Sequence, residues 1–424
     1  MKVLFVTPSE VSSGESITAV HMAEWLQREG CGVHFLASSF TRTFVSSRLP
    51  NAFTELGSDL ISNQHIWETS LRKFKPSHIV FADYPLLALS SGKIPLLDES
   101  WESKLDSCDA EIFTLDHLGY AQRPRLLFFG PPHDTIGIER LPATPSRIHL
   151  LLPSPLHDPM NSSLRGTTFR YWDNPSESAE PDQVGMRTRY VRSAEEILIL
   201  HLTSGWACNA AELLQSPYYS FLPRLLIHYL LGLSRPITIL SVNNGSLLPE
   251  LQDGNVRVLN TGPMTPSQYE YLLQASDLIM TENRISVSMA KAIQSLKPCA
   301  LLHNSYSILE IMNSPPGAAC LFAQQMERER FGSVFPFEVF PIWSMNDLKE
   351  LGIFNHWLRG AFAEIEIFGG EATAQQFRSL LTDHSYRDRM RAAQSSCLMR
   401  VKSLPSPREV LEETRARAYR QLSA

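Results

Sequence analysis

The sequence predicts an α/β protein with two doubly wound parallel-sheet domains in tandem, facing each other across a cleft. Three observations predict it. Apolar runs of strand length recur at helix-sized intervals along most of the chain. The chain has 424 residues, more than one ordinary core covers. A long Pro- and Ser-containing stretch over 154–192 separates the runs into two series.

The first run, Val3-Leu4-Phe5-Val6, is continuously apolar, as a strand covered on both faces requires. A polar, glycine-containing loop follows over 7–16. Ile17, Val20, His21, Trp25 and Leu26 then fall on one stripe of a helix ending near Gly30. Residues 32–37 give a second strand and complete a βαβ unit. Further strands of this first parallel sheet are expected at 78–82, 111–115, 125–129 and 147–152. No helical or strand period shows in 154–194, which reads as an irregular extension of a first domain spanning 1–194.

A second domain, 195–405, opens on the apolar run 196–202, a Thr-Ser-Gly loop and an apolar helical stretch to Leu233. Strands at 236–242, 256–259, 278–281 and 299–303 alternate with helical spacing at 269–278 and 286–296. Residues 373–401 form an amphipathic helical region, and a charged helix starts at Pro407. The insertion 322–368, with Phe335-Pro336-Phe337 and Trp343, fits no element of the pattern.

Hydrophobic residues at 43% and charged residues at 19% are those of a folded globular chain. The 38 Lys and Arg against 44 Asp and Glu, a formal charge of −6, argue against a general grip on nucleic acid, which needs clustered positive charge. Cys31, Cys108, Cys208, Cys299, Cys320 and Cys397 are scattered, without zinc or CxxC spacing, and read as thiols of a reducing compartment. The first residues run straight into a strand rather than a leader. No apolar segment approaches the roughly 20 residues that span a bilayer. A cytoplasmic protein without stable membrane insertion is expected.

In open parallel sheets, ligands bind beyond the carboxyl ends of the strands, where helix N-termini offer free N–H groups to anions. The most informative stretch begins Asn260-Thr261-Gly262-Pro263-Met264 and continues as a helix through Tyr269 and Leu272. Next come Ala275-Ser276-Asp277-Leu278-Ile279-Met280-Thr281 and the loop Glu282-Asn283-Arg284-Ile285-Ser286-Val287-Ser288, opening a helix that ends at Leu296-Lys297-Pro298. Ser286 or Ser288 can cap this helix, and its free N–H groups with the macrodipole suit a pyrophosphate; the plain alternative is an ordinary capped helix. This order of elements resembles the donor-binding half of the GT-B nucleotide-sugar glycosyltransferases, built from two Rossmann-like domains.

The resemblance implies a donor diphosphate received by Glu282, Asn283, Arg284, Ser286 and Ser288. It places Ser204 and Gly205 close to the donor phosphates and Gly262 at the base. Arg284 reads either as a guanidinium fork on phosphate or as a solvated loop residue. Where the family carries a Glu for the ribose hydroxyls, this chain has Lys291. The resemblance further implies that the last segment, 406–424, crosses back onto the first domain.

The family's first loop often reads Gly-His-x-x-Pro, and the matching run here is Ser13-Gly14-Glu15-Ser16-Ile17-Thr18. Glu15 stands at the histidine's place and is the candidate general base; a helix-initiating acid favoured by the macrodipole is the alternative. Glu10 is the substitute, and His21 is expected to be packed rather than catalytic. Gly14, Asp83 and Tyr84 are expected at the acceptor. Asp116 and His117 read either as an acid/base pair or as a capping Asp beside a surface His. Tyr171 and Trp172 either close over the acceptor or anchor a loop.

No Asp-x-Asp stands near a strand end and no ligand cluster has metal spacing, so no metal or cofactor is expected beyond a nucleotide-sugar co-substrate, UDP-linked. The implied reaction is metal-independent, inverting transfer of a hexosyl or N-acetylhexosaminyl group to a small soluble acceptor. A catalytically silent binding relative and a nucleotide-sugar epimerase are the alternatives.

Overall fold

A computed structural model of the chain describes residues 1–8, 14–84, 87, 101–117, 126–128, 138–140, 144–154, 157, 166–171, 183–203, 218–242, 250–262, 264–283, 286–304, 313 and 356–413. Along the first half run β1 (Lys2–Thr7), α1 (Gly14–Arg28), β2 (Gly32–Ala37), α2 (Ser39–Arg48), β3 (Phe53–Glu55), α3 (Leu60–Phe74) and β4 (His78–Phe81). They are followed by α4 (Trp101–Asp106), β5 (Glu111–Leu115), β6 (Leu126–Phe128), β7 (Ile138–Arg140), β8 (His149–Ser154) and β9 (Thr167–Arg170). The second half contains α5 (Gln183–Thr188), β10 (Ile197–Leu202), α6 (Tyr218–Leu230), β11 (Ile237–Val242), β12 (Leu251–Asp253) and β13 (Val256–Thr261). Then come α7 (Pro266–Ala275), β14 (Leu278–Thr281), α8 (Val287–Gln294), β15 (Cys299–His303), a 3₁₀ turn (His356–Leu358), β16 (Ala363–Glu366), α9 (Glu371–Thr382) and α10 (His384–Lys402). Residues 407–413 are helical.

The strands assemble into two large sheets. The first has the order β3-β2-β1-β4-β5-β8-β9, parallel throughout. The second has the order β12-β13-β11-β10-β14-β15-β16 and is parallel except for its edge strand β12. Each sheet winds one way from its first strand and then the other, so the order reverses between β1 and β4 and between β10 and β14. Such switch points open a crevice at the carboxyl ends of the strands.

The apolar runs explain why these strands are central. In β1, Val3 and Phe5 enter one core cluster and Leu4 and Val6 another, on opposite faces of the sheet. In β10, Ile197 and Ile199 likewise oppose Leu198 and Leu200. Both strands are covered on two sides, which is the reason their sequences do not alternate.

Two expectations are corrected here. The strand expected near 125–129 exists as β6, but it pairs antiparallel with β7 in a separate two-stranded sheet and not within the first parallel sheet. The irregular reading of 154–194 also fails in part, because β9 extends the first sheet parallel to β8 and α5 lies beyond it. At the entry to β9, Gly166 has φ +117°, and an added Cβ would fall 2.8 Å from the Leu150 carbonyl oxygen. Within the unassigned insertion, β16 closes the far edge of the second sheet, with Ala363 and Ile365 in its core. Phe335, Pro336, Phe337 and Trp343 lie outside the described residues.

The end of the described chain packs on the first sheet. Val410 and Leu411 join the cluster containing Val3, Phe5 and Phe35. The Arg170 amide donates to the Pro405 carbonyl at 3.1 Å, and Arg408 Nη1 donates to the Glu29 carbonyl at 3.4 Å. Among the described residues, no helix is long and apolar enough to cross a membrane.

Candidate active site between the two sheets

At the switch point of the second sheet, the turn from β14 to α8 is shaped by its own side chains. Thr281 Oγ1 accepts from the Asn283 amide at 3.1 Å, and the Asn283 carbonyl accepts from the Ser286 amide at 3.2 Å. Ser286 is the N-cap of α8, its hydroxyl accepting from the Ser288 amide at 3.1 Å. Both serines are half-buried. The preceding helix α7 is fixed by a capping box between Thr265 and Gln268, with Pro266 at its first position. Gly262, at the carboxyl end of β13, is exposed with open space where a side chain would stand.

Glu282, expected to meet the donor directly, is 5% exposed, and its Oε1 lies 2.7 Å from His201 Nε2. The carboxyl group is turned onto the neighbouring strand, which corrects that expectation. His201 is fully buried in β10, and its Nδ1 lies 3.4 Å from Ser241 Oγ of β11. A polar row thus crosses three adjacent strands of the second sheet. One sequence signal marks it, a single His inside the apolar run Ile197-Leu198-Ile199-Leu200-His201-Leu202. A buried polar side chain demands a partner, and the partner is 81 residues away.

In the first sheet, the chain leaving β1 returns as α1, whose first turn carries Gly14 and Glu15. Glu15 is 6% exposed and Ser16 is 1% exposed. Thr18 Oγ1 donates to the Gly14 carbonyl at 3.1 Å and lies 2.8 Å from His117 Nε2. The single hydroxyl proton is committed to Gly14, so the imidazole donates from Nε2. Burial pushes the His117 pKa down to about 3. At neutral pH this residue is an uncharged brace for the first turn of α1, so its surface reading is overturned and it is no acid at that pH. His157 donates through Nε2 to the Asp116 carbonyl at 2.6 Å, and burial followed by the nearby His117 lowers its pKa to about 4. Asp116 and Asp83 are both buried.

Tyr84 is 4% exposed and packs edge-on against Phe81 at 5.5 Å, with its amide donating to Thr114 Oγ1. Its ring belongs to the core rather than to an acceptor pocket, a second correction. Tyr171 is fully buried beside His21, with burial raising its phenol pKa.

The two halves meet along α1, α2, α7 and α8. A Cβ on Gly14 would lie 3.8 Å from Val287 Cγ2, so the first turns of α1 and α8 are in contact. Further along α8, Lys291 Nζ donates to Glu270 Oε1 of α7 at 3.0 Å. Arg48 of α2 approaches Glu24 at 2.7 Å and Glu270 at 3.5 Å. Lys291 is therefore engaged in an ion cluster between the halves. His21 joins it, with Nδ1 3.4 Å from Glu24 Oε2. Burial and then Lys291 lower its pKa, in keeping with the packed role expected for it.

Ser204, Gly205, Arg284, Glu10 and Trp172 lie outside the described residues. Among the described residues no group of three or more His, Cys, Asp or Glu is gathered to hold a metal.

Two doubly wound parallel sheets with these strand orders, facing across a cleft, define the GT-B fold. The chain belongs to a family of unknown function, DUF6365, whose model matches residues 22–421. In fold it is similar to the glycosyltransferase VinC in complex with DTDP, at 13% identity and a TM-score of 0.50, covering 99% of this chain and 100% of that one. It is also similar to a glycosyltransferase from Rickettsia africae ESF-5, at 12% identity and a TM-score of 0.50, covering 97% of this chain and 96% of that one. A third similar structure is the spinosyn rhamnosyltransferase SpnG complexed with spinosyn aglycone, at 14% identity and a TM-score of 0.49, covering 98% of this chain and 100% of that one. At these identities the first two likenesses show the fold alone. No curated protein matches the sequence.

Proposed function

We propose that this protein is a glycosyltransferase that moves a sugar from a nucleotide-diphosphate donor, UDP-linked, to a small soluble acceptor, with inversion and without a metal. One observation carries the reading. The first turn of α8, at the switch point of the second sheet, touches the first turn of α1, at the switch point of the first. In this reading the tip of α8 receives an anion, and the buried carboxylate of Glu15 borders the same crevice.

In this reading the donor diphosphate lies at the tip of α8, met by its free N–H groups, by Asn283 and by Arg284. The base occupies the open space beside Gly262, and the resemblance to the GT-B glycosyltransferases assigns Ser204 and Gly205 to the phosphates. The acceptor enters over Gly14 and Asp83. Its hydroxyl oxygen attacks the anomeric carbon as Glu15 takes the hydroxyl proton. The bond from that carbon to the diphosphate oxygen breaks, and the electron pair leaves with the nucleoside diphosphate. His117 supports the turn that carries Glu15, through Thr18, and exchanges no proton.

Donor turnover against a panel of small acceptors, followed by mass spectrometry, tests the reading. Glu15→Gln is expected to lower turnover by about 10²–10⁴-fold, the usual range for a general base, while nucleotide binding persists. A wild-type protein that binds nucleotide tightly yet turns over no donor would identify a silent binding protein instead.

A further inference from the structure

We infer that His201 and Glu282 are positioning residues for the donor: their buried contact pins the start of the β14–α8 turn to the central strand of the second sheet, and so aims the tip of α8. The ligand named here rests on the proposed function, whereas the pinning is a property of the fold.

The second sheet reverses its winding between β10 and β14, and the crevice opens between those two strands. His201 is the penultimate residue of β10 and Glu282 follows the last residue of β14. Their 2.7 Å contact therefore spans the crevice floor at its switch point. Ser241 on the other neighbour of β10 lies 3.4 Å from Nδ1, so both ring nitrogens face polar atoms and the ring plane is fixed.

Energetics point the same way. Both side chains are withdrawn from water, His201 at 0% and Glu282 at 5% exposure. A buried polar pair is weak evidence for stability, because well-packed apolar residues of like volume often serve as well or better. What such a pair does supply is directional constraint at one place. The constrained place is where the chain leaves β14. From there the turn is short and internally bonded, through Thr281, Asn283 and Ser286, up to the α8 cap. A shift of Glu282 would be carried along this series of hydrogen bonds to the first amides of α8. The other predicted donor contacts depend on the same turn, and neither His201 nor Glu282 needs to touch the ligand.

The test compares four proteins: wild type, His201→Leu, His201→Gln and His201→Asn. Glutamine reaches the position of Nε2 and can donate to Glu282, whereas asparagine reaches only the position of Nδ1, toward Ser241. Amide hydrogen exchange over 282–290 is measured first, without ligand, with folding checked by circular dichroism. Exchange is expected to quicken in the Leu and Asn variants and to stay near wild type in the Gln variant. Uridine and thymidine diphosphate affinities are expected to fall about tenfold in Leu and Asn and less than threefold in Gln. Equal behaviour of Gln and Asn, or unchanged exchange at 282–290 in a folded Leu variant, overturns the inference. A wild type that binds neither nucleotide overturns the proposed function instead, and the exchange data still decide the pinning. If the Leu variant does not fold, the two polar variants carry the comparison alone.

Discussion

His117 and His157 enter the fold uncharged, and the stability of the protein depends on pH through them. Burial lowers both from their ordinary 6.5, to about 3 and to about 4. Above pH 6.5 neither state binds a proton there, and the two groups contribute nothing to the pH dependence. Below it the unfolded chain takes up protons that the native state refuses, so stability falls as pH falls. Each residue removes about 1.4 kcal/mol per pH unit, from about 6.5 down to its folded value. His21, also lowered by burial, acts in the same direction. Urea midpoints are therefore expected to hold from pH 8 to 7 and drop steeply between pH 6.5 and 5. A flat profile over that range would mean that the imidazoles are solvated. The sequence marked His117 as worth attention but left its state open, because a depressed pKa arises from burial and the elements that bury it are far away in the chain. His201 was missed for a related reason. Its oddity in an apolar strand was visible, while its partner Glu282 is brought near only by the β10–β14 pairing.

Elements with continuous apolar runs were readable directly: β1, β4, β10 and β14 are covered on both faces, and their side chains say so. The missed strands of the two large sheets are short and lie toward the sheet edges. β9 has four residues, of which Phe169 alone is fully buried, and β12 has three, none of them buried. Such segments are too short to show a period. The strand β6 was legible, but its antiparallel partner β7 was not, since pairing is a long-range property. At this scale the last helical segment supplies a prediction. Leu411 is fully buried against the core that contains Val3 and Phe5. Leu411→Ala is expected to destabilise by about 2–5 kcal/mol, as truncations at buried leucines do. Equilibrium unfolding in urea checks it, and a change under 1 kcal/mol would show that this helix detaches readily.

Across the whole molecule, the two sheets repeat one plan, and their equivalent switch points are brought together where α1 meets α8. The contact is closed by charge as well as packing. Burial opposes the ionisation of Glu270, yet Lys291 and then Arg48 hold its carboxyl below the usual value. The sequence announced Lys291 as a departure from the family pattern, but Arg48 and Glu24 come from the other half and left no local trace. The fold class was thus legible from pattern, whereas the cluster joining the halves required coordinates. In the proposed function a nucleoside diphosphate sits at the tip of α8 inside this crevice. Hydrogen exchange with and without uridine or thymidine diphosphate tests it most directly. Slowed exchange over 281–290 and in the first turn of α1 is expected, together with a raised melting temperature. Neither nucleotide altering exchange there, or protection appearing only on a remote face, would contradict it.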